Sequence, residues 1–161
     1  MDKILDIDNV DLKILSLLNE DAKTPYTEIA KKVYVSSGTV HVRMRKLEEM
    51  GIVKSATLNI DFSKLGYDIS AFLGIYLEKS SLYDKVIEKL KSVPEVVSAY
   101  YTTGNYSIFA KIICRDTNHV REVLNKIQAV GGIDRTETLI VLEESINRPI
   151  QLIPADASKS N

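Results

Sequence analysis

Hydroxyl, imidazole and basic side chains that can recognise nucleic acid are concentrated in residues 35–53, VSSGTVHVRMRKLEEMGIV. Such groups hydrogen-bond to phosphates and to the edges of bases in the major groove. We predict that base edges are contacted by four residues, Ser37, Thr39, His41 and Arg45. Near the amino end of a helix, where free backbone N–H groups favour anions, phosphates would be contacted by Ser36, Gly38 and Lys46.

A helix would bring these side chains to one surface, because the same stretch has apolar residues at helical spacing. The apolar stripe, which we expect to pack inward, consists of Val40, Met44, Leu47 and Met50. We predict that this helix begins at Ser36 and is ended by Gly51. Arg43 falls close to the stripe, so we expect it to form an internal ion pair rather than to contact a base.

A solvated amphipathic helix with no partner is the simpler interpretation of this stretch taken alone. Its context favours DNA binding. A first helix, capped within Asp8-Asn9-Val10-Asp11, and a second that starts at Thr24-Pro25 precede it, with a tight turn over 33–36. The residues after Gly51 resemble a wing. Together these elements predict a winged helix-turn-helix over residues 1–53.

The rest of the chain alternates strands with helices. We predict strands over 69–77, 96–103, 106–114 and 136–142, and helices over 82–93 and 118–130. The order βαββαβ predicts a ferredoxin-like domain over residues 67–154, so the fold class of the whole chain is α+β. One face of this sheet would lack a covering element, and we therefore expect the chain to self-associate.

The composition is that of a globular protein. The 161 residues are 45% hydrophobic and 27% charged, with a net charge of −1. No apolar run approaches the roughly 20 residues that cross a bilayer, and the first residues lack the pattern of a signal peptide. We therefore expect a cytoplasmic protein with no membrane partner. A strand and linker over 54–66 would join the two domains, and the small, polar residues 155–161 would be disordered.

Residues that could perform catalysis are few. His41, His119 and the single cysteine, Cys114, lie on three different predicted elements and do not have the spacing of a zinc site. The sequence has neither a glycine-rich phosphate loop nor a serine elbow, and we expect Cys114 to be a buried, inert thiol. We therefore predict no enzyme activity, no catalytic residue, no metal and no cofactor.

Several motifs resemble those of the Lrp/AsnC (feast/famine) transcription regulators, in an order that covers nearly the whole chain. The motifs are Leu5-Asp6, Asp11, Ile14-Leu15, Leu18, Glu28-Ile29-Ala30, Ser36, Val40, Arg43, Leu47-Glu48, Gly51-Ile52-Val53, Pro94-Glu95-Val96 and Thr103-Gly104-Asn105-Tyr106. The resemblance implies a sequence-specific regulator that binds double-stranded DNA. It also implies homodimers that join into octamers and bind an amino acid or related small molecule between dimers.

The resemblance further implies where this effector binds, namely at the turn between the second and third strands and along the last strand. The matching residues are Thr102, Thr103, Gly104, Asn105, Tyr106, Ser107, Thr136, Thr138, Leu139 and Ile140. Asn105 and Ser107 stand where the family usually has two aspartates. A type II′ hairpin at Gly104-Asn105, with tyrosines packing on the sheet, would explain the same residues without a ligand.

A second departure from the family pattern is Tyr34, in the turn before the third helix. The family often has glycine or asparagine there, because that position adopts a positive φ at little cost only with those residues. Two alternative functions are also consistent with the sequence. The first is a tetrapyrrole (sirohaem-type) decarboxylase of the same superfamily, which would bind sirohaem. The second is an architectural DNA-binding protein whose assembly no amino acid would change.

Overall fold

The computed structural model describes residues 6–152, which form two compact units. Of the described residues, the first unit contains 6–59 and 146–152, and the second contains 60–145. This division differs from the predicted boundaries at 53, 66 and 154, because the predicted linker is shared between the units and the last described residues return to the first. The predicted disordered tail over 155–161 lies outside the described residues.

Three helices form the main part of the first unit: α1 (Asn9–Glu20), α2 (Tyr26–Val33) and α3 (Ser37–Glu49). The side chain of Asp8 accepts a hydrogen bond from the backbone N–H of Asp11, and the side chain of Asp11 accepts one from the N–H of Asp8. This reciprocal pair is a capping box. Ser36 caps α3 by accepting from the backbone N–H of Thr39. The cap predicted within Asp8-Asn9-Val10-Asp11 is thus Asp8, and α3 starts at Ser37, one residue after the predicted start at Ser36.

The core of the first unit combines one apolar stripe from each helix. Its buried members are Ile14 of α1, Ile29, Ala30 and Val33 of α2, and Val40, Met44 and Leu47 of α3. The stripe predicted for α3 is thus confirmed, with Met50 half-buried at the cap of the helix. Since each fully buried aliphatic side chain stabilises the fold by about 1.5 to 3 kcal/mol, this packing determines which face of α3 stays exposed.

Two local details of the first unit differ from the prediction. Pro25 occupies the cap position of α2, so that helix begins one residue later than a cap at Thr24 would allow. Residues 53–61 contain neither helix nor strand. The wing predicted after Gly51 therefore has no strand pairing among residues 6–152.

The segment over 146–152 lies against α1. The hydroxyl of Ser16 donates to the carbonyl oxygen of Leu152 across 3.4 Å, and the side-chain amide of Asn19 donates to the carbonyl oxygen of Ile150 across 3.4 Å. Leu152 also borders an apolar hollow with Leu15 of α1. The first unit is therefore assembled from two separate parts of the sequence.

The second unit is a four-stranded antiparallel sheet with two helices. Its elements are β1 (Ile69–Leu77), α4 (Tyr83–Leu90), β2 (Val96–Tyr101), β3 (Ile108–Cys114), α5 (Thr117–Gln128) and β4 (Ile133–Ile140), in the strand order β2-β3-β1-β4. Short 3-10 turns lie at Phe62–Leu65 and Ser80–Leu82. The predicted βαββαβ order and the α+β fold class are confirmed.

The two faces of this sheet differ. The face towards α4 and α5 is the core, with buried Leu73, Ile75, Ile108, Ile112, Val123 and Ile127. Cys114 is buried on the same side, and burial raises the pKa of its thiol, as expected for an inert cysteine. The other face has a cluster of aromatic rings, called the aromatic face below, formed by Phe72, Tyr76, Tyr106 and Phe109. None of the helices among residues 6–152 is long and apolar enough to span a membrane.

Candidate functional site

The amino half of α3 presents a small and polar surface. Gly38, His41, Val42 and Arg45 are exposed, and so is the cap residue Ser36. Ser37, Thr39 and Lys46 are half-buried. A shallow groove beside the helix is lined by Asp8, Ser36, Gly38, Thr39, Val42, Arg43 and Lys46. The structure thus places all seven predicted DNA-contacting residues along the first three turns of α3.

The two hydroxyls at the start of α3 bond to each other. The oxygens of Ser36 and Thr39 lie 2.8 Å apart, while the Ser36 oxygen also accepts from the Thr39 backbone N–H at 3.0 Å. The cap therefore holds both side chains in place. A phosphate arriving here would meet hydroxyls that are already oriented, together with the free N–H groups of the first turn.

Arg43 and Arg45 are two residues apart but have different surroundings. The Nη1 atom of Arg43 donates to Asp8 Oδ2 at 2.7 Å and to Asp11 Oδ1 at 2.9 Å. The hydrogen bond to Asp11, and to a smaller extent the one to Asp8, raises the pKa of the Arg43 guanidinium. Arg45 is exposed and forms no ion pair with any residue between 6 and 152. The prediction that Arg43 is an internal ion-pair partner is confirmed.

Lys46 has a partner that the sequence did not indicate. Its ammonium donates to the carboxylate of Asp6 at 2.7 Å and to the carbonyl oxygen of the same residue at 2.8 Å. Asp6 is 92% exposed on its side chain, so solvent screens this pair strongly. A phosphate would have to compete with Asp6 for Lys46.

Two features of α3 add to the predicted surface. The ring of His41 packs edge-on against Tyr26 of α2, with the ring centroids 4.6 Å apart. This contact limits the orientations of the imidazole. Val42 is 70% exposed, on a helix whose other large aliphatic residues are buried. Sequence reasoning did not assign it a role, although its place opposite the apolar stripe was the available signal.

The turn before α3 contains the predicted unfavourable residue. Tyr34 has φ 59° and ψ 46°, and it is the one non-glycine residue with positive φ among residues 6–152. Its side chain is 94% exposed. Its ring therefore gains little from packing that would offset the cost of a left-handed backbone.

The loop between β2 and β3 is longer than the predicted two-residue hairpin. The backbone N–H of Thr102 donates to the carbonyl oxygen of Ser107 at 3.2 Å, which leaves four residues in the loop. The Thr102 hydroxyl donates to the carbonyl oxygen of Tyr106 at 2.9 Å, and Gly104 has φ 103°. The exposed residues Thr103 and Asn105 lie on either side of this glycine. The alternative interpretation of Gly104-Asn105 as a type II′ hairpin is therefore wrong, although the loop does require its glycine.

Tyr106 turns from this loop onto the aromatic face. Its hydroxyl donates to Glu137 Oε2 at 2.8 Å, and the hydroxyl of Tyr76 donates to Glu137 Oε1 at 3.0 Å. These hydrogen bonds lower the pKa of Glu137 and raise that of Tyr106. The guanidinium of Arg135 stacks 4.0 Å from the centre of the Tyr76 ring. This chain lacks the two aspartates that the family usually has in the turn, at Asn105 and Ser107. Glu137 of β4 places a carboxylate next to Tyr106 of the same turn.

Gly74 provides the space for Tyr106. A Cβ atom at Gly74 would lie 2.3 Å from the Tyr106 ring, far closer than two non-bonded carbon atoms can approach. Neither Gly74 nor Glu137 was identified from the sequence. The signal for Gly74 was a glycine in the middle of an otherwise apolar strand, which marks a close approach by another group.

The predicted residues of the last strand do not all lie with Tyr106. Phe72 pairs with Leu139, and Gly74 pairs with Glu137, so both β4 residues share the aromatic face. The alternate residues Thr136, Thr138 and Ile140 point to the opposite face of the sheet. The structure therefore groups Leu139, but not the other three, with Tyr106. No group of three or more His, Cys, Asp or Glu side chains arranged to hold a metal occurs among residues 6–152.

Comparison with known families identifies both units. A winged helix-turn-helix DNA-binding family matches residues 7–54, and the Lrp/AsnC ligand binding domain matches residues 70–150. The regulatory protein AsnC of Haemophilus influenzae is 50% identical over 146 residues, covering 90% of this chain and 97% of the relative.

Solved structures agree with this match. The structure of Escherichia coli AsnC has a TM-score of 0.85 and 45% identity, covering 90% of this chain and 98% of the other. A Neisseria meningitidis transcriptional regulator in complex with L-Met has the same fold, with a TM-score of 0.85 at 21% identity, covering 94% of this chain and 99% of the other. The exposed polar face of α3, the ferredoxin-like sheet and these matches lead to one conclusion: the chain belongs to the Lrp/AsnC family of transcriptional regulators.

Proposed function

We propose that the amino half of α3 enters the major groove of double-stranded DNA. In this arrangement Ser37, Thr39, His41 and Arg45 contact base edges, while Ser36, Gly38 and Lys46 contact phosphates. The observation that supports it most is the contrast between two arginines. Arg43 is held by two carboxylates, whereas Arg45 is exposed and without an ionic partner among residues 6–152. A free guanidinium on a groove-facing helix is suited to a guanine edge. We propose that the protein binds this DNA in the cytoplasm.

The test uses DNA sites selected by the wild-type protein from a random pool. Arg45→Ala weakens binding to the selected site by about 1 to 3 kcal/mol and relaxes the preference at the base pair it contacts. Arg121→Ala, at an exposed arginine of α5 in the other unit, is the matched control and leaves affinity unchanged. Equal affinity of the Arg45→Ala variant and the wild type in a titration would contradict the assignment of α3.

We also propose that a small-molecule effector, an amino acid or a related compound, binds between dimers near the loop over 102–107. The support is local: Tyr106, Glu137 and Leu139 share the aromatic face beside this loop. Burial of that face by a second copy would drive formation of homodimers, and contacts between dimers would build the octamer. The effector changes DNA binding only if it binds two assembly states with different affinity.

A thermal-shift screen across amino acids, followed by light scattering with any ligand found, tests this effector site. Gly74→Ala displaces the Tyr106 ring, so we expect it to weaken binding of that ligand at least ten-fold. Ser92→Ala, at an exposed position on the helix side of the unit, serves as its control. If no amino acid changes stability or assembly, an architectural DNA-binding role is favoured instead. Binding of added sirohaem would favour the decarboxylase.

A further inference from the structure

A cavity of about 490 Å³ lies in the second unit, at the end of the sheet where β2 begins and β3 ends. One wall comes from the 3-10 turn and the residues after it, with Phe62, Leu65 and Tyr67. Their exposed fractions are 44%, 64% and 39%, high values for large apolar side chains grouped so closely. An apolar surface of this kind, next to charged groups, is typical of a ligand site.

The opposite wall holds a carboxylate that is already ionised and paired. Glu95 Oε1 accepts hydrogen bonds from His119 Nε2 and Lys126 Nζ, each at 3.1 Å. His119 Nδ1 accepts from the backbone N–H of Arg115, which leaves Nε2 as the donor to Glu95. Although burial raises the pKa of Glu95, hydrogen bonds from its own backbone, His119 and Lys126 lower it to about 2. His119 and Lys126 are therefore committed to Glu95.

Two charged side chains of the same cavity have no partner among residues 6–152. The guanidinium of Arg115 forms no ion pair or side-chain hydrogen bond, and neither does the carboxylate of Glu122. Lys126 lies four residues after Glu122 on α5, the spacing at which such residues usually pair, but its ammonium goes to Glu95 instead. One free positive and one free negative charge thus line a cavity with an aromatic wall.

These observations specify the chemistry of a ligand. We propose that this cavity binds a small zwitterion with an aromatic or bulky aliphatic body, whose carboxylate pairs with Arg115 and whose ammonium faces Glu122. The body packs against Phe62 and Tyr67. The guanidinium offers a planar fork that matches a carboxylate.

This cavity is separate from the proposed effector site. The loop over 102–107 joins the far ends of β2 and β3, whereas Ile113 and Arg115 lie at the near end. Six residue steps along β3, at roughly 3.3 Å each, separate the two by about 20 Å. The inference therefore goes beyond the proposed function, and the proposed function can hold even if the inference is wrong.

Calorimetric titration of the 161-residue protein tests the inference with three probes of one shape. L-phenylalanine has both charges, 3-phenylpropionate lacks the ammonium and 2-phenylethylamine lacks the carboxylate. Wild type is compared with Arg115→Gln and Glu122→Gln. The matched control is Arg121→Gln, an exposed arginine of the same helix that does not line the cavity. All three positions are exposed, so each variant should keep its unfolding midpoint.

We expect Arg115→Gln and Glu122→Gln each to weaken L-phenylalanine binding at least ten-fold, and Arg121→Gln to leave it unchanged. Arg115→Gln should bind phenylalanine and phenylethylamine equally, and Glu122→Gln should bind phenylalanine and phenylpropionate equally. If both Arg115→Gln and Glu122→Gln bind L-phenylalanine with the wild-type affinity, the ligand binds elsewhere and the inference is overturned. The proposed effector site near Tyr106 would not be affected by that result. Lack of binding by both L-phenylalanine and L-leucine up to about 10 mM would also overturn it.

Discussion

Arg43 Nη1 lies 2.9 Å from Oδ1 of Asp11, and this bond ties α3 to the first turn of α1. Asp11 is the one buried charged residue among residues 6–152, with 2% exposure. Removal of the guanidinium leaves its carboxylate without an ionic partner in the core. Arg43→Ala should therefore lower the free energy of unfolding by about 2 to 4 kcal/mol, measured by urea denaturation.

A double variant separates the unpaired charge from the lost side chain. Arg43→Ala combined with Asp11→Asn has no buried charge, so we expect it to be more stable than Arg43→Ala alone. An additive loss in the double variant would mean that the pair does not stabilise the link between the helices.

Tyr34 should be replaceable with a gain in stability. Glycine adopts the left-handed backbone of this turn at little cost, whereas a residue with a Cβ atom does not. Because the tyrosine ring is 94% exposed, little packing is lost. Tyr34→Gly should raise the free energy of unfolding by about 1 kcal/mol. Tyr34→Ala, which keeps the Cβ atom, should give no such gain. Equal free energies of unfolding for the Tyr34→Gly and Tyr34→Ala variants would show that the left-handed backbone at this position carries no strain.

Asp6 and DNA should compete for Lys46. Lys46→Gln is expected to weaken binding to all sequences alike and to reduce the slope of log affinity against log salt by about 1. Asp6→Asn frees the ammonium, so binding should become tighter at low salt. The measurement is a salt series of titrations. An unchanged slope in the Lys46→Gln variant would remove Lys46 from the phosphate contacts.

If α3 enters the major groove as proposed, the exposed side chain of Val42 would contact the methyl group of a thymine. On a selected site, Val42→Ala should cost about 1 kcal/mol, close to the value of one or two buried methyl groups. Replacing the contacted thymine by uracil should weaken the wild type by a similar amount but not the variant. Equal losses in both proteins would show that the two methyl groups do not meet.

Glu95 should make stability depend on pH in the acid range. Its pKa of about 2 in the folded chain lies below the ordinary value of 4.5. The ionised carboxylate therefore stabilises the fold fully above about pH 4.5, by about 3 kcal/mol, and this contribution is lost as pH falls towards 2. Glu95→Gln should be less stable at pH 7, and the difference should narrow below pH 4.5. A constant difference in urea denaturation across this range would contradict the assignment.

Local patterns predicted most of the elements correctly. The caps at Asp8 and Ser36 depend on side chains three residues away, and the stripe of α3 depends on helical spacing. β1 was predicted with its observed bounds because its apolar run ends at polar residues on both sides. Each of these signals lies within one element, so the sequence displays it directly.

Contacts between distant residues could not be predicted in this way. The bond from Lys46 to Asp6 spans 40 positions and that from Tyr106 to Glu137 spans 31. The direction of Thr136 and Thr138 depended on strand register, which the alternation of β4 left undecided because both of its faces contain polar residues. The place of residues 146–152 beside α1 had no local signal either.

That last segment has a mechanical consequence. Both ends of the described chain belong to the DNA-reading unit, and residues 60–145 are inserted between them as a continuous stretch. The sheet unit is thus joined to the helices by two covalent tethers, one leading from α3 and one returning from β4 to Ser16 and Asn19 of α1. Residues 141–152 therefore give β4 a covalent route to α1, the helix whose Asp11 holds Arg43, that does not pass through α3. A fragment ending at residue 145 would lose that second tether while keeping every residue of α3.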